Sequence, residues 1–291
     1  MNGMFAKIRK AVVLALDHDV VNTAKAAAYS GILMLFPAVV VVTTLVAQVE
    51  AGGRLLGGLR ALFELFLPAD MLDLIQSTAQ AQRFHSLSVV LSAAGLSLFA
   101  ALGVMLSLME GFRRAYRLPR DQWGFWERRG RGLLLVPIVM IPLSVASLVI
   151  VFGHQIELWM IEQAGHDLRH VVLFLWRMAR WSVAMLSSIA VLTVLYHFGT
   201  RRKESWDRVI PGAVAGALIW FPATLAFGWY VTRFGSYSRF YGSFAAGIAT
   251  LVWLYLTSFT VLMGAELNGL LYRERQEAQA AEIPAPSARS R

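Results

Sequence analysis

Two uncharged runs joined by a very short turn constrain this chain more than any other feature. Residues 209–232 and 240–265, 24 and 26 residues long, contain no Asp, Glu, Lys or Arg. As helices rising about 1.5 Å per residue, each can cross a hydrocarbon layer of roughly 30 Å. Only 7 residues, 233–239, lie between them, which makes the two helices antiparallel neighbours. Pro211-Gly212-Ala213 opens the first run. That reads as a helix start, where a proline lacks only an amide hydrogen that would have no partner anyway. Gly212 and Gly216 then share a face, and in lipid such small residues let two backbones approach closely. They are the candidate helix-packing residues.

Comparable runs recur along the chain and predict spans at about 26–49, 86–109, 132–156, 181–200, 209–232 and 240–265. The expected fold is therefore all-α, a polytopic membrane protein with six transmembrane helices in one domain, residues 26–268. With 57% hydrophobic and 15% charged residues, the chain is too apolar for a soluble domain, in which about 25% charge is usual. Residues 1–25 read as a cytoplasmic lead-in, because Phe5, Ile8, Val12 and Leu16 recur at helical spacing among Lys7, Arg9 and Lys10. Asp17 interrupts the apolar stretch too early for a removable signal peptide. In residues 50–85, Leu55, Leu59, Leu62, Phe63 and Phe66 follow a helical period that Pro68 stops, predicting short amphipathic helices in the first outer loop. Residues 269–291, with Pro284, Pro286 and Ser287, read as a cytoplasmic and partly disordered tail.

The net charge of +9 would suit a nucleic-acid partner, but its distribution predicts none. With the N-terminus inside, the inward segments hold 19 Lys and Arg and the outward ones 8, which places both termini in the cytoplasm. The densest basic segment follows the second span and contains Arg113, Arg114, Arg117, Arg120, Arg128, Arg129 and Arg131, with Trp123, Phe125 and Trp126 among them. Arg113, Arg114, Arg128 and Arg129 are the candidate contacts for anionic membrane-lipid headgroups. A protein partner or a homo-oligomer is left open.

An ordered set of short motifs accompanies these spans: Ala26-Ala27-Ala28-Tyr29, Leu35-Phe36-Pro37, Trp126-Glu127-Arg128-Arg129, Pro211-Gly212-Ala213, Tyr241-Gly242-Ser243, Trp253-Leu254-Tyr255 and Gly264-Ala265-Glu266-Leu267-Asn268. In order and spacing the set resembles the YihY/BrkB family of bacterial inner-membrane proteins, over nearly the whole chain from Lys25 to Asn268. The resemblance implies six spans in the bacterial cytoplasmic membrane. Its members have been described as candidate transporters, as a virulence-associated factor and, under an older label, as a ribonuclease.

Chemistry is sparse. With no cysteine there is no disulfide, thiolate nucleophile or cysteine-ligated metal. His166 and His170 lie four apart but lack a third ligand, so a solvated loop is expected there. Asp17-His18-Asp19 is the acid and histidine cluster on the cytoplasmic side, and its consecutive residues point to different helix faces. No catalytic, cofactor-binding or metal site is predicted. The middle of every span is free of Asp, Glu, Lys and Arg. Glu110 and Glu266 sit at helix C-termini, where the dipole disfavours a negative charge, and should pair with Arg208, Arg113 or Lys25. Pro37 should kink the first span. Tyr29, Pro37, Tyr241, Gly242, Glu266 and Asn268 are the candidate groove or gating residues, in a groove involving spans one, five and six. The expected function is transport or translocation of an amphipathic or lipid-like substrate. The alternative is a membrane scaffold that binds a partner through residues 50–85 and 157–180. Ribonuclease chemistry at Asp17 and Asp19 is the least favoured reading.

Overall fold

The computed structural model describes residues 2–47, 87–119, 123–142, 169–201, 204–233 and 243–282, all of them helical apart from short joints. The helices are α1 (Asn2–Asp17), α2 (Val20–Ala47), α3 (Leu87–Ala115), α4 (125–142), α5 (Arg169–Gly199), α6 (Trp206–Arg233) and α7 (Ser243–Glu282). Five of them, α2, α3, α5, α6 and α7, are long and apolar enough to cross a membrane. The predicted span 132–156 lies only partly within the described residues, as the second half of α4. The predicted outer-loop helices, residues 234–239 of the predicted turn and the end of the tail lie outside them.

Burial is arranged for lipid rather than water. Large apolar side chains such as Phe36, Phe99, Leu186, Leu225 and Trp229 face outward, whereas Ala24, Ala27, Ala28, Ala213 and Ala217 are buried between helices. A soluble protein of this size rarely exposes so much apolar surface, and helices in a bilayer meet through small residues because lipid is as apolar as leucine. At the α2–α3 crossing Gly103 lies against Ser30, and further along Gly111 lies against Leu262 of α7.

α7 is the hub, packing on α6, α2, α3 and α1. The sequence Gly264-Ala265-Glu266-Leu267-Asn268-Gly269 serves a different neighbour with almost every residue. Gly264 lets the α6 backbone and the Tyr196 hydroxyl of α5 approach, Leu267 packs on Ala11 of α1, and Gly269 lies against the Ala115 carbonyl of α3. Tyr196 closes the same corner by donating to the Val261 carbonyl at 2.6 Å and meeting the Phe112 ring edge-on.

Helix ends differ from those expected. α2 starts at Val20, six residues before the predicted span, and α6 starts at Trp206, so Pro211 sits inside the helix and not at its start. α7 runs through Arg273 to Glu282, residues assigned to the tail from hydropathy alone. Arg, Glu, Gln and Ala are strong helix formers, so the helix outlasts the apolar run.

Candidate functional site

Two chain reversals meet at one end of the bundle. Between α1 and α2, Asp19 adopts φ 59°, and its carbonyl accepts the Thr23 amide at 3.1 Å while its carboxylate accepts Asn22 Nδ2 at 2.7 Å. At the end of α3, Arg117 adopts φ 51°, with Leu118 N donating to Arg113 O at 2.9 Å and Arg117 N to Arg114 O at 2.9 Å. This is the Schellman closure, made here with arginine in the position that usually takes glycine. Buried Leu118 supplies the apolar contact that goes with it.

Glu110, one turn before that closure, gathers the arginines. Arg113 grips it with Nη2 at 2.7 Å and Nε at 3.0 Å, Arg114 donates from Nε at 3.2 Å, and Arg128 of α4 donates from Nη2 at 3.3 Å. Arg113 also donates to the Leu118 carbonyl and Arg128 to the Leu106 carbonyl, at 2.9 and 3.3 Å. Arg114 reaches across to Asp19 at 3.1 Å and so joins α3 to the α1–α2 reversal. Arg129 instead lies over the Phe125 ring, 3.6 Å from its centre, a cation–π contact at the outer edge.

An open groove of about 420 Å³ lies beside these pairs. Asp19, Asn22, Thr23 and Ala26 form its α2 side, Leu106, Ser107, Glu110 and Arg114 its α3 side, and Arg128 of α4 its end. A smaller cavity of about 140 Å³ lies on the other flank of Glu110, between Arg113, Trp123 and Arg129.

Glu266 is fully buried, and its partner is His18, whose Nδ1 lies 2.9 Å from both carboxylate oxygens. None of Arg208, Arg113 and Lys25 fills that place. Arg113 belongs to Glu110, and Lys25 donates to Asn22 Oδ1 at 3.3 Å. Arg117 Nε approaches His18 Nε2 at 3.5 Å, so the tautomer with its proton on Nδ1 suits both neighbours. Because His18 and Glu266 are 248 residues apart, no local spacing marks the pair. On the other side of α3, burial pushes the Tyr116 phenol above its ordinary range and keeps it neutral.

Asn268 is buried as well. Its Oδ1 accepts the Gly212 amide and its Nδ2 donates to the Val209 carbonyl, both at 2.8 Å. Gly212 lies against the Gly264 carbonyl and Asn268, and Gly216 against Leu192 and the Tyr196 hydroxyl. Tyr29 points outward, Pro37 is half-buried inside α2, and Tyr241 and Gly242 lie outside the described residues. α6 and α7, the fifth and sixth predicted spans, are joined at this end by Asn268 and by backbone approach, and α2, the first, packs on α7. The groove opens between α2, α3 and α4 instead. Among the described residues, no group of three or more His, Asp or Glu could hold a metal ion.

The sequence pattern of the family described as Virulence factor BrkB extends over residues 12–289. The chain belongs to this BrkB family. It is 28% identical to the ribonuclease-like protein YfkH of Bacillus subtilis, over 86% of this chain and 89% of that one. It is 24% identical to a UPF0761 membrane protein of Tolumonas auensis, over 84% and 78%, and 27% identical to one of Chromohalobacter salexigens, over 89% and 61%. No solved structure matches. Membership of the BrkB family, with five apolar helices of membrane-crossing length, makes this a multi-pass membrane protein.

Proposed function

We propose that this BrkB-family protein gives a lipid-like, amphipathic molecule passage across the bacterial inner membrane, with its polar end entering the charged groove and its apolar part staying in lipid. The observation that carries this reading is the continuity of the groove with the outer surface. Asn22 and Ala26 of the groove wall share one face of α2 with Tyr29, Leu33 and Phe36, spaced by alternating fours and threes, and those last three are exposed. From Ala26 to Phe36 is about 15 Å of helix, close to half of a hydrocarbon core of roughly 30 Å. A polar site at the end of an apolar track one leaflet deep suits a molecule built the same way.

Six crossings with both termini in the cytoplasm complete the reading, supported by the 19 to 8 asymmetry of Lys and Arg. The groove then opens at the inner leaflet, and the remaining arginines of the α3–α4 segment attract anionic headgroups around it. Apolar Val12, Val13 and Leu16 of α1 are exposed, and on this reading they rest in the same interface.

The test is a liposome assay. The full chain, shown folded by a cooperative melt, should speed redistribution of a labelled phospholipid between leaflets relative to protein-free vesicles. An unchanged rate with folded protein present would sink the proposal.

A further inference from the structure

Building on that reading, we infer that the groove between α2, α3 and α4 is a headgroup site for a phospholipid whose phosphate bears an amine, a phosphoethanolamine-type zwitterion. Its volume of about 420 Å³ falls within the roughly 300–1,000 Å³ of small-molecule sites. Four charged side chains line it, and their signs cancel: Arg114 and Arg128 against Glu110 and Asp19. A ligand carrying only negative charge would lie against Asp19, which Arg114 and Asn22 satisfy on one side only. A zwitterion answers both signs.

The two carboxylates are not equivalent. Glu110 is three-quarters buried and held by three arginines, so it orients the guanidinium groups and has little capacity left for a ligand. Asp19 is half exposed at the rim, with Arg114 on one oxygen and Asn22 on the other, and its open side can take an ammonium group. Arg128 uses only Nη2 on partners among the described residues, so its Nε and Nη1 hydrogens, which lie on different edges of the guanidinium, remain to donate singly to phosphate oxygens as charge-assisted bonds. Ser107 and Thr23 spend their hydroxyl protons on the Gly103 and Asp19 carbonyls, so the charged groups carry the recognition. The apolar track beyond Ala26 selects a lipid over a soluble ester of the same headgroup.

The probes are dihexanoyl phosphatidylethanolamine, dihexanoyl phosphatidylglycerol and glycerophosphoethanolamine, titrated into the detergent-purified full chain by calorimetry. The ethanolamine lipid should bind about tenfold tighter than the glycerol lipid, the scale of one charged hydrogen bond. Arg128→Gln should weaken it by about tenfold or more, and Asp19→Asn should bring the two lipids level. Ala26 is exposed on its helix, so Ala26→Phe fills the groove without touching the core and should abolish binding while the melting temperature holds. Tighter binding of the glycerol lipid would overturn the assignment in favour of a plain anion site. Unchanged binding in both Arg128→Gln and Ala26→Phe would overturn the location, and equal binding of glycerophosphoethanolamine would overturn the lipid as its source. Binding in micelles requires no passage, so intact binding with a silent liposome assay would sink the transport reading and leave this site standing.

Discussion

Asn268 shows how one side chain can brace a neighbouring helix beside a break built into it. Pro211 has no amide hydrogen, so the Asp207 carbonyl loses its helical donor and the first turns of α6 are loosened. Asn268 answers from α7, accepting from Gly212 and donating to Val209, where no water reaches. Asn268→Ala removes two buried hydrogen bonds between α6 and α7, at about 1 kcal/mol each, and should lower the melting temperature in detergent. Asn268→Asp sets a second oxygen against the Val209 carbonyl in a buried place, so it should be no more stable than Asn268→Ala; equal stability of all three would refute the bracing role. Glu266 obeys a different rule. His18→Ala leaves the buried Glu266 carboxyl without its hydrogen-bond partner at a cost of about 1–3 kcal/mol, whereas replacing both partners, His18→Leu with Glu266→Leu, removes the polar group along with its partner. The double variant should therefore melt above His18→Ala, and a lower melt would show that the pair is not the source of the loss. That Glu266 needs a partner is legible from its place near the end of an apolar run. That the partner is His18 is not, because only the docking of α1 on α7 brings them together.

At the scale of helices, glycines separate contact from mere propensity. A Cβ on Gly212 would collide with the Gly264 carbonyl and with Asn268, whereas one on Gly228, in the same helix, meets nothing within 4 Å. Gly212→Ala should therefore force α6 and α7 apart and reduce the yield of folded protein. Gly228→Ala should hold or raise the melting temperature, since glycine costs a helix about 1 kcal/mol relative to alanine. If the two variants behave alike, the close α6–α7 approach is not what holds these helices. The pattern of Gly212 and Gly216 was readable in advance because helical spacing puts them on one face. Helix ends were less readable. Hydropathy reports where lipid stops, not where hydrogen bonding stops, which is why α7 outruns its apolar run by way of Arg273 and Glu274. The groove was hidden for a related reason: it is made by two reversals, at Asp19 and Arg117, whose left-handed backbones no glycine announces.

For the whole molecule, orientation and recognition draw on the same arginines but not in the same way. Orientation depends on how many Lys and Arg each segment carries, whereas the groove depends on which of them Glu110 and Asp19 hold in place. Removing four of the 19 inward Lys and Arg, by changing Arg113, Arg114, Arg128 and Arg129 to Gln, still leaves 15 against 8. The proposed topology should survive that change: reporters fused after residue 282 should read cytoplasmic, and reporters inserted in 234–239 should read periplasmic, in parent and variant alike. The groove should not survive it, because Glu110 would lose every charged partner it has among the described residues. Lipid redistribution by the variant should fall to the protein-free rate while the fusion pattern stays fixed. A variant that inverts would show that these four arginines set the orientation, and one that keeps full activity would show that passage does not run through the groove.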